Sequence, residues 1–371
     1  MRLFWPAVVV LVGCGAPTPD VDSGVPFELD AGRAGDAGSP DSGASMDAAV
    51  TFDAGVDDAG SGADAGSGAD ASVDAGVRLD AGVMSDAGFP NVDRTSPQLY
   101  RFQFTAQSAE PDAGRWTGNQ LARLDTRVAP RGLLVVYLHG AGTPTTCGSG
   151  AHQDFLAGLG FHTIGPCYAT DYGVGNCGTQ IGECRLEAFD GVDRHPFIAI
   201  TRAESLERRI VRMLLQLQTL NPQGDWQYFL VNGAPRWDRI VISGISHGAS
   251  SAGLIAKVRS VHHAVMLSGP LDTNQAWLSM PSLTPSAQLS AFTHTGDPQH
   301  PGHLDAFETM GLPGAPTRIE DGGRPWAGSH RLFTSVTTAD PHGSTQAGGS
   351  SPRTADGGYR FAPVWQELYE Q

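Results

Sequence analysis

One short stretch near the middle of the chain constrains its fold more than any other. Residues 238–257 read DRIVISGISHGASSAGLIAK. The β-branched run that begins at Ile240 predicts a strand, a Gly-x-Ser-x-Gly turn centred on Ser246 follows, and the small residues after Gly248 favour a helix. A strand, a sharp turn and a helix in this order are typical of a strained, exposed nucleophile, so Ser246 is the predicted nucleophile.

The negative charge of the chain is concentrated in one segment. The 371 residues carry a formal net charge of −15, and residues 16–96 hold 16 acidic and 3 basic side chains. The remainder is nearly neutral and contains no basic stripe. Nucleic-acid binding needs a basic face, so we expect no nucleic-acid partner.

The first 14 residues predict export. Arg2 precedes an apolar stretch, residues 3–13, that is too short to span a bilayer as a mature helix. Leu11-Val12-Gly13-Cys14 resembles a bacterial lipobox, which implies lipidation of Cys14. With Gly15 following, we expect anchoring at the outer membrane or cell surface rather than the inner membrane. An ordinary signal peptide is the alternative.

Residues 15–96 predict a disordered, acidic linker. The triplet Asp-Ala-Gly occurs eight times between Asp30 and Gly88. The segment has too little apolar surface to offset chain entropy, and its like charges repel. We interpret it as a tether between the lipid anchor and a folded domain. Calcium-binding repeats are the alternative, although no Gly-Gly-x-Gly-x-Asp repeat occurs.

Residues 97–371 predict one α/β domain, in which apolar strand patterns alternate with helical ones. This order predicts a mostly parallel sheet with helices on both faces. The expected strands are 99–105, 132–138, 161–168, the one beginning at Ile240, 261–267, 288–294 and 331–337, and the expected helices are 153–159, 202–220 and 361–369.

Four cysteines remain once Cys14 is set aside. An even number in an exported protein favours two disulfides, for which three connectivities exist. A short glycine-rich loop separates Cys177 from Cys184, so we predict that pair and, with it, a Cys147–Cys167 bond. The spacings match no usual zinc pattern.

Two further features accompany the Gly-x-Ser-x-Gly turn. A His139-Gly140 turn follows a buried strand, and an acidic residue followed by a histidine occurs downstream of Ser246. From about Arg131 onward, the chain resembles the α/β-hydrolase superfamily. More narrowly it resembles a group of secreted hydrolases, although Ile245 precedes the serine where histidine is commoner. The segments that carry this narrower resemblance are Cys184-Arg185-Leu186-Glu187, Ser268-Gly269-Pro270-Leu271-Asp272 and Ser329-His330-Arg331-Leu332.

The resemblance implies a Ser-His-Asp triad. His342, on a loop after the last predicted strand, is the expected base. Asp297, which follows the strand ending at His294, is the expected acid, and Asp272 is the alternative acid. The backbone N–H groups of Ala141 and His247 are the expected oxyanion donors.

A second cluster of polar residues invites a metal interpretation. His294, Asp297, His300 and His303 recur at three-residue spacing, which would need a helix. We expect Pro298 and Pro301 to break such a helix, and we predict no metal and no cofactor.

Together these features predict an exported, lipid-anchored serine hydrolase that acts as a monomer. A carboxylesterase or lipase-like enzyme, working on small-molecule or polymeric esters through an acyl-enzyme, is the expected activity. The same fold also serves peptidases, amidases and inactive surface binding modules, which remain alternatives.

Overall fold

The computed structural model describes residues 88–371, and the predicted signal segment, Cys14 and most of the linker lie outside these residues. Within this range no helix is both long and apolar enough to cross a bilayer. The strands are β1 Leu99–Thr105, β2 Asn119–Asp125, β3 Leu134–Leu138, β4 Thr146–Cys147, β5 His162–Gly165, β6 Leu230–Val231, β7 Ala234–Pro235, β8 Ile240–Ile245, β9 His263–Leu267, β10 Leu289–His294, β11 Thr317–Arg318 and β12 Arg331–Thr334. The helices are α1 Ala106–Ala109, α2 Gly150–Gly158, α3 Val174–Cys177, α4 Ile181–Asp190, α5 Leu206–Leu220, α6 His247–Val258, α7 His300–Thr309 and α8 Ala362–Glu370.

One large sheet organises these elements, with the strand order β1-β2-β5-β3-β8-β9-β10-β12-β11. β2 runs antiparallel to both β1 and β5. The pairs from β5 through β3, β8, β9, β10 and β12 to β11 are parallel. This mostly parallel order is that of the α/β-hydrolase fold, which confirms the predicted fold class.

Both faces of the sheet are buried. Alternate residues of β3 enter opposite cores: Leu134 and Val136 pack in one, Val135 and Tyr137 in the other. α5 and α6 cover the first face, and α2 and α8 cover the second. Continuous apolar runs such as β3 and β8 are what a parallel sheet buried on both faces requires.

The register of the central strands brings their carboxyl ends to one edge. Leu138 pairs with Gly244, and Ile245 pairs with Leu267. Phe292 of β10 pairs with the same Leu267. The loops that follow β3, β8, β9 and β10 therefore begin side by side, where ligands bind in open α/β sheets.

Candidate active site

The turn between β8 and α6 holds Ser246 in a strained conformation, with φ 58° and ψ −121°. The glycines on either side are required by close packing. A Cβ at Gly244 would lie 2.6 Å from the carbonyl oxygen of Leu138, and one at Gly248 would lie 2.2 Å from that same oxygen. The turn therefore has the geometry of a nucleophile elbow.

His342 and Asp297 form a hydrogen-bonded pair at the same edge. His342 Nδ1 lies 2.6 Å from Asp297 Oδ2, and the His342 side chain is 35% exposed whereas that of Asp297 is 2% exposed. Since a carboxylate only accepts hydrogen bonds, Nδ1 carries the proton and Nε2 keeps its lone pair. This is the tautomer that a general base needs.

The charge on Asp297 is stabilised where it lies. Burial alone would raise the pKa of Asp297, but the hydrogen bonds from His342 and from the backbone N–H of Gln299 outweigh burial, and the pKa is lowered below its usual value. Gln299 N donates to Oδ1 at 2.9 Å, so both carboxylate oxygens accept a hydrogen bond.

The end of β9 anchors both the serine and the histidine. Ser246 N donates to the carbonyl of Leu267 at 2.9 Å, and the hydroxyl of the next residue, Ser268, donates to the carbonyl of His342 at 2.7 Å. Among the described residues, Ser246 Oγ forms no hydrogen bond with His342. Asp340 shapes the turn that carries His342, because its carboxylate accepts from Gly343 N at 2.8 Å.

The two predicted oxyanion donors lie on either side of the serine. His247 is the first residue of α6, so its N–H is one of the donors that a helix start leaves free. A Cβ at Gly140 would lie 3.4 Å from Ser246 Cβ, which places the turn carrying Ala141 beside the nucleophile. Within residues 88–371, neither N–H donates to a protein acceptor.

Asp272, the alternative acid, has a different partner. Its carboxylate accepts from Arg185 Nε at 2.5 Å and Nη2 at 2.7 Å, and from Trp277 Nε1 at 2.9 Å. Arg185 Nη1 also lies 3.2 Å from His247 Nε2. The ion pair is buried, and His342 hydrogen-bonds to Asp297 instead.

Both predicted disulfides, Cys147–Cys167 and Cys177–Cys184, are present. The second lies with His195 in a group of possible metal ligands, but disulfide sulfurs are not thiolates. No helix spans the four polar residues, because His294 ends β10 and α7 begins only at His300. Pro301 nevertheless lies inside α7, in its first turn, where a missing N–H costs no hydrogen bond.

No family model and no curated protein matches the sequence. Similar solved structures include esterase B from Lactobacillus rhamnosis (13% identity, 74% of this chain and 82% of that one, TM-score 0.35). A thermostable carboxylesterase from a metagenomic library (12%, 67% and 83%, 0.31) and an esterase from Pyrobaculum calidifontis (14%, 59% and 75%, 0.29) also resemble it. These values are too low to transfer an activity, so the site is interpreted from its own geometry.

Proposed function

We propose that the chain is a serine hydrolase that cleaves carboxylic esters. The observation that carries the proposal is the Nδ1–H of His342 donating to buried Asp297, at the same sheet edge as a serine held in a strained elbow. Ser246 Oγ attacks the acyl carbonyl while His342 Nε2 takes its proton. The N–H groups of Ala141 and His247 stabilise the oxyanion, and water then releases the acyl group.

The lack of a hydrogen bond between Ser246 Oγ and His342 among the described residues is compatible with this mechanism. Hydrogen bonds between nucleophile and base are often long in unliganded enzymes and shorten when substrate binds. The strained φ of Ser246 also costs energy that an ordinary tight turn would not need, which favours a functional role.

Covalent labelling by a fluorophosphonate probe tests the proposal. We expect the folded protein to be labelled and both Ser246→Ala and His342→Ala to lose labelling, with kcat for a simple ester falling about 10⁶-fold. Ser260→Ala and His262→Ala, at the opposite end of β9, are matched controls that should retain full labelling. A folded wild type that does not react would instead indicate a binding module, and an ester–amide substrate pair separates esterase from peptidase.

We further propose that the enzyme is exported and lipid-anchored through Cys14, with residues 15–96 as a passive tether. The lipobox-like sequence and the repeated Asp-Ala-Gly triplets support this proposal. Cys14→Ser should move the protein from the membrane fraction to the soluble fraction. Deleting residues 16–87, the part of the linker that lies outside the described residues, should leave kcat/KM for a soluble ester unchanged, and a large loss would contradict the tether.

A further inference from the structure

A cleft of about 620 Å³ opens beside the turn that carries Ala141. Its lining comes from the end of β1, the β1–β2 loop, the segment from His139 to Cys147, and the segment after β5. Its size is ordinary for a small-molecule site. The triad does not line the cleft, but His139 does, and the next residue, Gly140, is the one packed against Ser246.

The chemistry of this lining is unusual for an esterase pocket. Among the residues that the structure describes, no Leu, Ile, Val, Met or Phe lines it, whereas four threonines, Asn119, Asp171 and Tyr168 do. A pocket for a long acyl chain needs an aliphatic wall, since burying apolar surface supplies the binding energy. Hydroxyl, amide and carboxylate groups around a cleft suit a ligand that carries many hydroxyl groups.

One wall of the cleft is a rigidly held tryptophan. Trp116 has φ 48°, a conformation that a bulky residue adopts only under constraint. The constraint comes from Arg209, which is 1% exposed and donates to the carbonyl of Trp116 at 2.7 Å and to that of Arg115 at 2.5 Å. Glu204 holds the Arg115 guanidinium, which lies 4.4 Å from the ring centre of Trp116.

His139 supplies a hydrogen-bond acceptor without a partner. Its Nδ1 lies 2.8 Å from the carbonyl of Gly140, so Nδ1 carries the proton and Nε2 has a free lone pair. Burial lowers the pKa of His139 to about 4, which keeps the ring neutral. Nε2 is buried and has no protein partner among residues 88–371, a costly arrangement that a ligand hydroxyl would relieve.

We propose that this cleft binds the sugar portion of an acylated carbohydrate, which makes the enzyme a short-acyl carbohydrate esterase. The inference rests on the proposed function, and it names the substrate class. The face of the Trp116 ring opposite the Arg115 guanidinium would stack against the C–H face of the sugar, and His139 Nε2 would accept from a hydroxyl. Ser246 Oγ forms the bond to the acyl carbon, the bond to the sugar oxygen breaks, and that oxygen leaves with the proton held by His342.

The test compares an acetylated xylo-oligosaccharide with p-nitrophenyl acetate, which carries the same acyl group on a simple alcohol. We expect Trp116→Ala to lower kcat/KM for the sugar ester about tenfold, chiefly through KM, and to leave p-nitrophenyl acetate within about twofold. Trp116→Phe should recover most of the loss. Trp237→Ala, at a tryptophan outside the cleft, should change neither substrate, and thermal melts establish that each variant is folded.

Other outcomes overturn the assignment. If Trp116→Ala lowers both rates equally, the cleft does not select a sugar, although the proposed function stands. If decanoyl esters are cleaved faster than acetyl esters, the assignment as a short-acyl carbohydrate esterase is wrong, and the proposed function again stands. If the folded wild type neither reacts with the fluorophosphonate nor cleaves p-nitrophenyl acetate, the proposed function itself fails. Binding of the deacetylated oligosaccharide to Ser246→Ala measures the cleft separately from catalysis, and no saturable binding there would refute the sugar site.

Discussion

Asp272 and Asp297 follow neighbouring strands of the sheet and have almost the same burial, with 1% and 3% of each residue exposed. Their partners differ. Asp272 binds Arg185, a permanently charged group that is itself buried. Asp297 binds His342, a group that can gain or lose a proton and is 35% exposed. Burial alone therefore does not distinguish a carboxylate in a structural ion pair from one that hydrogen-bonds to a histidine.

The difference lies in what each pair can do at neutral pH. A guanidinium keeps its proton, so the Arg185–Asp272 pair can only hold elements together, here α4 and the loop after β9. An imidazole can donate from one ring nitrogen while the other accepts a proton, so the His342–Asp297 pair has the chemistry of an oriented base. Substitution of either carboxylate or of Arg185 separates these two roles.

The largest expected effect is on catalysis. Asp297→Asn should lower kcat for a simple ester about 10⁴-fold, because the amide favours the wrong tautomer of His342. Asp272→Asn should lose far less activity per folded molecule. Active-site titration with the fluorophosphonate corrects both rates for the folded fraction. If the two results were reversed, Asp272 would be the triad acid.

The next effect is on stability. Arg185→Met leaves the Asp272 charge buried without its partner and should lower the free energy of unfolding by about 3–5 kcal/mol. Adding Asp272→Leu removes that charge and should recover much of the loss. Urea denaturation of the single and double variants measures the difference. An unchanged midpoint for Arg185→Met would contradict a structural role for the pair.

Stability should also depend on pH through buried histidines. Burial lowers the pKa of His152 and that of His263 to about 3, so the unfolded chain binds protons that the folded chain does not. Their contribution is therefore full above about pH 6.5 and is lost as the pH falls toward 3. His152→Gln should reduce the slope of unfolding free energy between pH 6 and 4 by about 1.4 kcal/mol per pH unit. Equal slopes in wild type and variant would show that His152 does not titrate in this range.

A comparable effect on stability is expected for the disulfides. Replacing Cys177 and Cys184 by serine should cost about 2 kcal/mol, and replacing Cys147 and Cys167 about 3 kcal/mol, because the second bond closes the longer loop. Cys184 adjoins Arg185, which binds Asp272 and not Asp297, so loss of the Cys177–Cys184 bond should leave fluorophosphonate reactivity intact in the folded protein. Calorimetry of both double variants tests the order, and equal losses would contradict the loop-length argument.

Local patterns predicted the strands and helices with strong periodicity. β1 matches its predicted bounds, and β8, β10 and α5 agree within a few residues. β2 and α4 were missed. The arginine in the middle of β2 obscures its apolar pattern, and α4 follows a glycine-rich segment that gives no helical signal.

Sequence motifs indicated the candidate site residues that lie at strand ends, but not the residues that pair with them only through the fold. Ser246, Asp297 and His342 each follow a recognisable strand. The partnership of Arg185 with Asp272 spans 87 residues, so no local signal indicates it. The cleft was missed for the same reason, although Gly114 and Gly118 around Trp116 mark that loop as a tight turn.

The close approach of Gly248 to the carbonyl of Leu138 has a consequence for mutational tolerance. A single added carbon there would push β3 and the nucleophile turn apart, so the reacting centre has almost no freedom to vary. The loop that carries Trp116 is also tightly packed at Gly118, where a Cβ would lie 2.7 Å from the carbonyl oxygen of Pro144, but that contact lies in the lining of the cleft and not at the turn of Ser246. New substrate ranges can therefore arise by changing that loop, while the catalytic geometry stays the same.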